Sequence, residues 1–176
     1  MTMGSGSGFI VGSVLACLVG CATPAALPTP KPASSISPEQ RVAAVRAVRA
    51  VAGRDDREFA VQPLRDPMVE DLRQTAARLE SQTFYAEAAK ALDQALAITP
   101  ADPAVLQERA ELALLAGEFA HAETLARRAY ALGAKVGPLC RRHWAAIEQA
   151  MKAREANADE ARNQIAACKV ATPERF

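Results

Sequence analysis

Four cysteines and two histidines are the side chains of this 176-residue chain best suited to covalent, redox or metal chemistry. Cys17 and Cys21 stand at the end of an apolar run, whereas Cys140 and Cys168 lie far along the chain. Cys140 and His143 fall about one helical turn apart, a spacing that suits two metal ligands, but a full set would need Cys168 and His121 to converge on them. No metal or other cofactor is expected from so dispersed a set. There is no phosphate-binding Gly-rich loop and no nucleophile elbow, and His121 and His143 are the only histidine bases on offer. Carboxylate pairs such as Asp55 with Asp56 or Glu155 with Asp159 fall in connectors or on polar helix faces, where solvated charge is the ordinary outcome. The chain reads as a non-enzyme.

The elements that position these residues follow from composition. Half the residues are apolar, mostly alanine, leucine and valine, with few aromatics and few glycines beyond the first segment. That favours closely packed helices over a sheet, and the length allows one domain with a sizeable core. Lys and Arg number 21 against 20 Asp and Glu. No global field would gather nucleic acid around such a molecule, so nucleic-acid binding is not expected.

The apolar run from Phe9 to Val19 is well short of the ~20 residues needed to cross a bilayer and matches a signal-peptide core. It ends in Leu18, Val19, Gly20 and Cys21, which resembles the lipobox of bacterial lipoproteins. That resemblance implies cleavage before Cys21, acylation of its thiol with diacylglycerol and palmitate-type chains, and membrane attachment without a spanning helix. Ala22 follows the cysteine where an Asp would mark inner-membrane retention, so the resemblance implies the periplasmic side of the outer membrane. Two features depart from it or compete with it. Met1 to Gly8 carries no Lys or Arg, and Val14, Leu15, Ala16 and Cys17 form a poorer second lipobox. A plain secretory signal or a membrane helix with incidental cysteines is the alternative.

Beyond Cys21, Pro24, Pro28, Pro30 and Pro32 stand among Ala, Ser and Thr, a composition that buries too little apolar surface to fold. This stretch reads as a tether that spans up to ~50 Å at about 3.1 Å per residue. Ser37, Pro38 and Gln40 then give a helix start, and the helix runs to about Ala52, before Gly53. Its valines suggest an N-terminal cap on the repeats that follow, with Arg41, Arg46 and Arg49 as a solvated face. Phe59, Val61 and Leu64 are expected to pin the connector to the next element.

From Val69 to Leu132 one unit is written twice. Adding 34 to Leu72, Ala76, Tyr85, Ala88, Ala95 and Ile98 lands on Leu106, Ala110, Phe119, Ala122, Ala129 and Leu132. Each unit predicts an antiparallel helical hairpin: one opens at Asp66 and Pro67 and turns near Gln82 and Thr83, the other opens at Asp102 and Pro103 and turns at Gly117. A third step of 34 lands on Cys140 and Trp144 but then on Asn163, so the last hairpin, from Pro138 to near Cys168, is degenerate. These residues resemble the tetratricopeptide repeat. The fold class implied is all-α: a short right-handed superhelix of antiparallel helical hairpins, two clear and one degenerate, after an N-terminal helix. The segments are a signal over 1–20, lipidated cysteine and tether over 21–37, N-terminal helix and connector over 38–66, repeats over 67–170 and a tail over 171–176.

With Cys21 acylated and Cys17 removed, Cys140 and Cys168 remain at adjoining ends of two antiparallel helices, where an oxidising periplasm would join them. The repeat family binds partners in a concave groove lined by the first helix of each hairpin. Residue by residue, that implies Glu70, Arg73, Ala77 and Glu80, then Ala104, Gln107, Glu111 and Leu114, with Arg141 and Arg142 from the last hairpin. A groove mixing Arg and Glu suits a protein or peptide strand. The function expected is a lipid-anchored interaction scaffold of the cell envelope. A pilotin-like biogenesis factor for one complex and a cell-wall-modifying enzyme are the alternatives, and self-association is not legible.

Overall fold

The structure, a computed structural model, describes residues 36–52 and 64–169. The expected signal, the Cys21 lipid site, nearly all of the tether, Gly53, Phe59, Val61 and the tail lie outside the described residues. Seven helices occupy the described residues: α1 (Pro38–Ala52), α2 (Pro67–Ser81), α3 (Tyr85–Ile98), α4 (Pro103–Leu115), α5 (Phe119–Leu132), α6 (Gly137–Ala153) and α7 (Asp159–Ala167). The fold is all-α.

Local chemistry sets the helix ends. At α1, Ser37 Oγ accepts from the Gln40 amide at 3.2 Å and Gln40 Oε1 accepts from the Ser37 amide at 2.9 Å, a reciprocal capping box. Asp66 accepts from the Met68 amide at 2.8 Å, and Asp102 from the Ala104 amide at 2.8 Å. Pro67 and Pro103 fill first helical positions, where no N–H is missed. The two turns are also copies. Thr83 (φ 64°) and Gly117 (φ 77°) are left-handed, and after each the chain closes with the same bond, Phe84 N–H to Leu79 O at 3.0 Å and Glu118 N–H to Ala113 O at 2.8 Å.

Helix α2 pairs with α3, α4 with α5 and α6 with α7, and the hairpins stack through α3 on α4 and α5 on α6. The recurring alanines form these seams. Ala76, Ala88, Ala95, Ala110, Ala122 and Ala129 are all buried, which lets helix backbones approach closely. Between α5 and α6, Tyr130 meets Trp144 edge-on with ring centroids 4.9 Å apart. The last hairpin breaks the 34-residue step for a simple reason: α6 has 17 residues where α4 has 13, about one extra turn. Its left-handed turn residue is therefore Glu155 (φ 57°), and Ala161, not Asn163, supplies the buried small contact.

Two expectations are corrected. Helix α1 does not cap the first hairpin; it packs against α4 and α6, where Val42 and Val45 are buried. Burying the two valines contributes roughly 1.5–3 kcal/mol each, which holds α1 on α4 and α6. Leu64 is fully exposed, so it pins nothing to the first hairpin.

Candidate functional site

The first helices α4 and α6 of the second and third hairpins touch each other, and α1 packs against both. Between α1 and α2 a cleft of about 530 Å³ stays open. Its floor is apolar, with Ala76, Ala77, Leu92 and Leu112, and its walls carry Arg46, Glu70, Arg73, Glu80, Glu108 and Arg142. The wall charges are held in place by one another. Arg73 donates to Glu70 at 2.6 Å and grips both oxygens of Glu108 through Nε and Nη2, the Nε bond being 2.9 Å. These bonds to Glu108, with the charges of Glu108 and Glu70, hold the Arg73 guanidinium firmly protonated.

At the α1 side of the cleft, Arg46 donates to both oxygens of Glu80 at 2.9 and 3.0 Å and to Glu111 at 2.8 Å. Glu111 is fully buried on α4 and also accepts from Arg142 at 2.7 Å and from Gln107 Nε2 at 2.9 Å. Burial alone would raise the Glu111 pKa, yet the bonds and charge of Arg142, with the charge of Arg46, hold it below the ordinary carboxylate range. It is an anion at neutral pH. Gln107 spends its amide N–H on Glu111, so its Oε1 accepts from His143, whose Nδ1 lies 2.7 Å away and carries the proton. Burial, helped by the Arg142 charge, lowers the His143 pKa to about 3, so the imidazole is neutral.

The structure divides the expected groove residues into two groups. Glu70, Arg73, Glu80 and Arg142 line the open cleft, as does Ala77. Gln107 and Glu111 do not present themselves to a partner: both are fully buried, Gln107 against His143 of α6 and Glu111 beneath Arg46 of α1 and Arg142 of α6. Leu114 is likewise buried in the core. Arg141 is also buried, and its Nη1 donates to the Cys168 carbonyl at 3.2 Å, at the end of α7 rather than in the groove.

Cys140 and Cys168 are joined in a disulfide, with Cα atoms 5.7 Å apart. Cys140 is thereby unable to act as a thiolate metal ligand, and His143 is committed to Gln107. Among the described residues no cluster of His, Cys, Asp or Glu is arranged to hold a metal, and no helix is long and apolar enough to cross a membrane.

This arrangement has a relative among solved structures. The chain resembles the globular C-terminal domain of P. aeruginosa LpoP. The two are 28% identical with a TM-score of 0.55, over 61% of this chain and the whole of that domain. No protein-family model matches the chain, and no curated protein matches it.

Arg46, Glu108 and His143 were not legible as members of the network, and Arg41 was not legible as a buried residue beside it. Arg46 and Arg41 read as a solvated face, but both fall on the valine side of α1. Arg41 is buried, with its guanidinium 5.7 Å from the Phe119 ring centroid. The signal available was spacing: 41, 42, 45 and 46 share one helical face, so the arginines go wherever Val42 and Val45 go.

Proposed function

We propose that this chain is a lipid-tethered, non-enzymatic interaction module of the bacterial envelope, built on tetratricopeptide-like hairpins. Its partner is a protein segment bound in the cleft between α1 and α2. The observation that carries this reading is the cleft itself: an Ala and Leu floor between walls of fixed, mutually paired Arg and Glu. Such a surface takes apolar side chains below while offering charged hydrogen bonds at the rim. The likeness to the globular LpoP domain supports a folded bacterial module, and the Cys21 lipobox with Ala22 after it supports attachment to the periplasmic face of the outer membrane.

Glu111, the acid an enzymatic reading would invoke, is buried, ionised and bound by two arginines, which suits it to holding helices rather than transferring protons. Filling the cleft tests the proposal. Ala77 is exposed on the floor, so Ala77→Trp blocks the site without touching the core. Tagged wild-type protein, crosslinked in native envelopes and purified in detergent, is expected to retain a stoichiometric protein that the Ala77→Trp variant loses. Identical captured proteins from both would overturn the cleft as the site. A Cys21→Ser variant that still sediments with membranes would overturn the tether.

A further inference from the structure

Every neighbouring pair from α2 to α7 is joined by a turn of a few residues, and the three hairpins and their stacking are complete within that body. Helix α1 is built differently. Residues 53–66 separate it from α2, yet it packs on α4 and α6 rather than on its sequence neighbour. It makes contact on one side only: Ala43, Ala44 and Ala47 on its other side are exposed. On the contact side Arg41, Val42, Val45 and Arg46 enter a trough with Glu111 in its floor. Two valines three residues apart with a flanking arginine at each end describe a helical ligand laid in a groove, with apolar anchors and charged ends.

We propose that the trough between α4 and α6 is a second, helix-binding site, occupied in this structure by the chain's own α1 and open to a partner helix of the same pattern, Arg-Val-x-x-Val-Arg. The acids that receive the distal arginine belong to the body: Glu80 on α2 and Glu111 on α4. A partner helix bringing its own arginine would satisfy the same two carboxylates, so exchange leaves no buried charge exposed to an apolar surface. This site lies beneath α1 and shares Arg46 and Glu80 with the wall of the cleft, but capture of a partner over Ala77 does not require α1 to leave, so its failure leaves the cleft reading standing.

The test uses the full chain and a fluorescent synthetic peptide of residues 37–52. Because the covalently attached α1 competes at an effective concentration on the order of millimolar, the wild-type chain is expected to bind micromolar peptide barely at all. An Arg46→Ala chain keeps Glu80 and Glu111 but weakens its own α1, and is expected to bind the peptide at least tenfold more tightly. A peptide carrying Arg46→Ala should lose that gain. Hydrogen exchange on the wild-type chain supplies a measurement that needs no variant: α1 amides should exchange as a unit well before those of α4 and α5. Equal protection of α1 and α4, or a folded Arg46→Ala chain that binds no more peptide than wild type, would overturn the proposal.

Discussion

Arg46 on α1 and Glu111 on α4 are paired at 2.8 Å although 65 residues separate them in sequence. With Arg142 on α6, this pair gathers three helices around one buried carboxylate, and Arg46 extends the link to Glu80 on α2.

Replacing that carboxylate should be costly. Glu111→Ala leaves two arginines facing a buried gap and is expected to lower the unfolding free energy by about 3–5 kcal/mol, measured by urea denaturation. The pH dependence follows from the sign of the shift. The folded-state pKa of Glu111 is depressed, so its contribution is complete above the unfolded carboxylate value and disappears as pH falls through the folded one, below 4.5. Wild type should lose stability steeply on acidification in that range, and Glu111→Gln should show a shallower slope.

The paired left-handed turns make opposite predictions. Thr83 sits at φ 64° with a branched β-carbon, so Thr83→Gly should raise stability by roughly 0.5–1 kcal/mol. Gly117 occupies the same place one repeat later, and a Cβ added there meets nothing within 4 Å. Gly117→Ala should therefore cost about 1 kcal/mol, all of it conformational. Thermal unfolding of the two variants beside wild type checks both signs.

The Cys140–Cys168 bond closes a loop across a sequence separation of 28. Chain-entropy reasoning assigns such a loop about 3–4 kcal/mol. A Cys140→Ala, Cys168→Ala double variant should unfold at correspondingly lower urea, and hydrogen exchange should show α7 losing protection before α4 and α5 do.

Ala88 and Ala122 stand 34 residues apart and both are completely buried. Enlarging either to Leu forces two helices apart and should destabilise by about 1–3 kcal/mol, whereas the exposed Ala86→Leu should be nearly neutral. Comparing the three urea midpoints shows whether the seams carry the fold.

These alanines explain how much of the architecture was readable. A fixed step recovers any contact that each hairpin repeats, and the caps at Ser37, Asp66 and Asp102 are local, so periodicity and neighbouring residues sufficed to place the ends of the first helices. The step fails at Asn163 because the extra turn in α6 shifts everything after it. The site was harder. Glu70, Arg73 and Glu80 share one cleft with Arg142, but nothing periodic reveals that a helix outside the repeats brings Arg46 onto the buried Glu111. An amphipathic helix announces which face it buries, never against what. Only the placement of Arg41 and Arg46 on the valine side of α1 hinted that acids waited opposite them.

The polypeptide enters the folded body through α1, and this has a mechanical meaning. A pull applied from the N-terminal side loads the valine contacts and the Arg46–Glu111 link before any hairpin feels force, whereas a pull from the C-terminal side meets the covalent Cys140–Cys168 clasp. The described body therefore has a soft end and a hard end, and the soft one is the end that follows Cys21 in sequence.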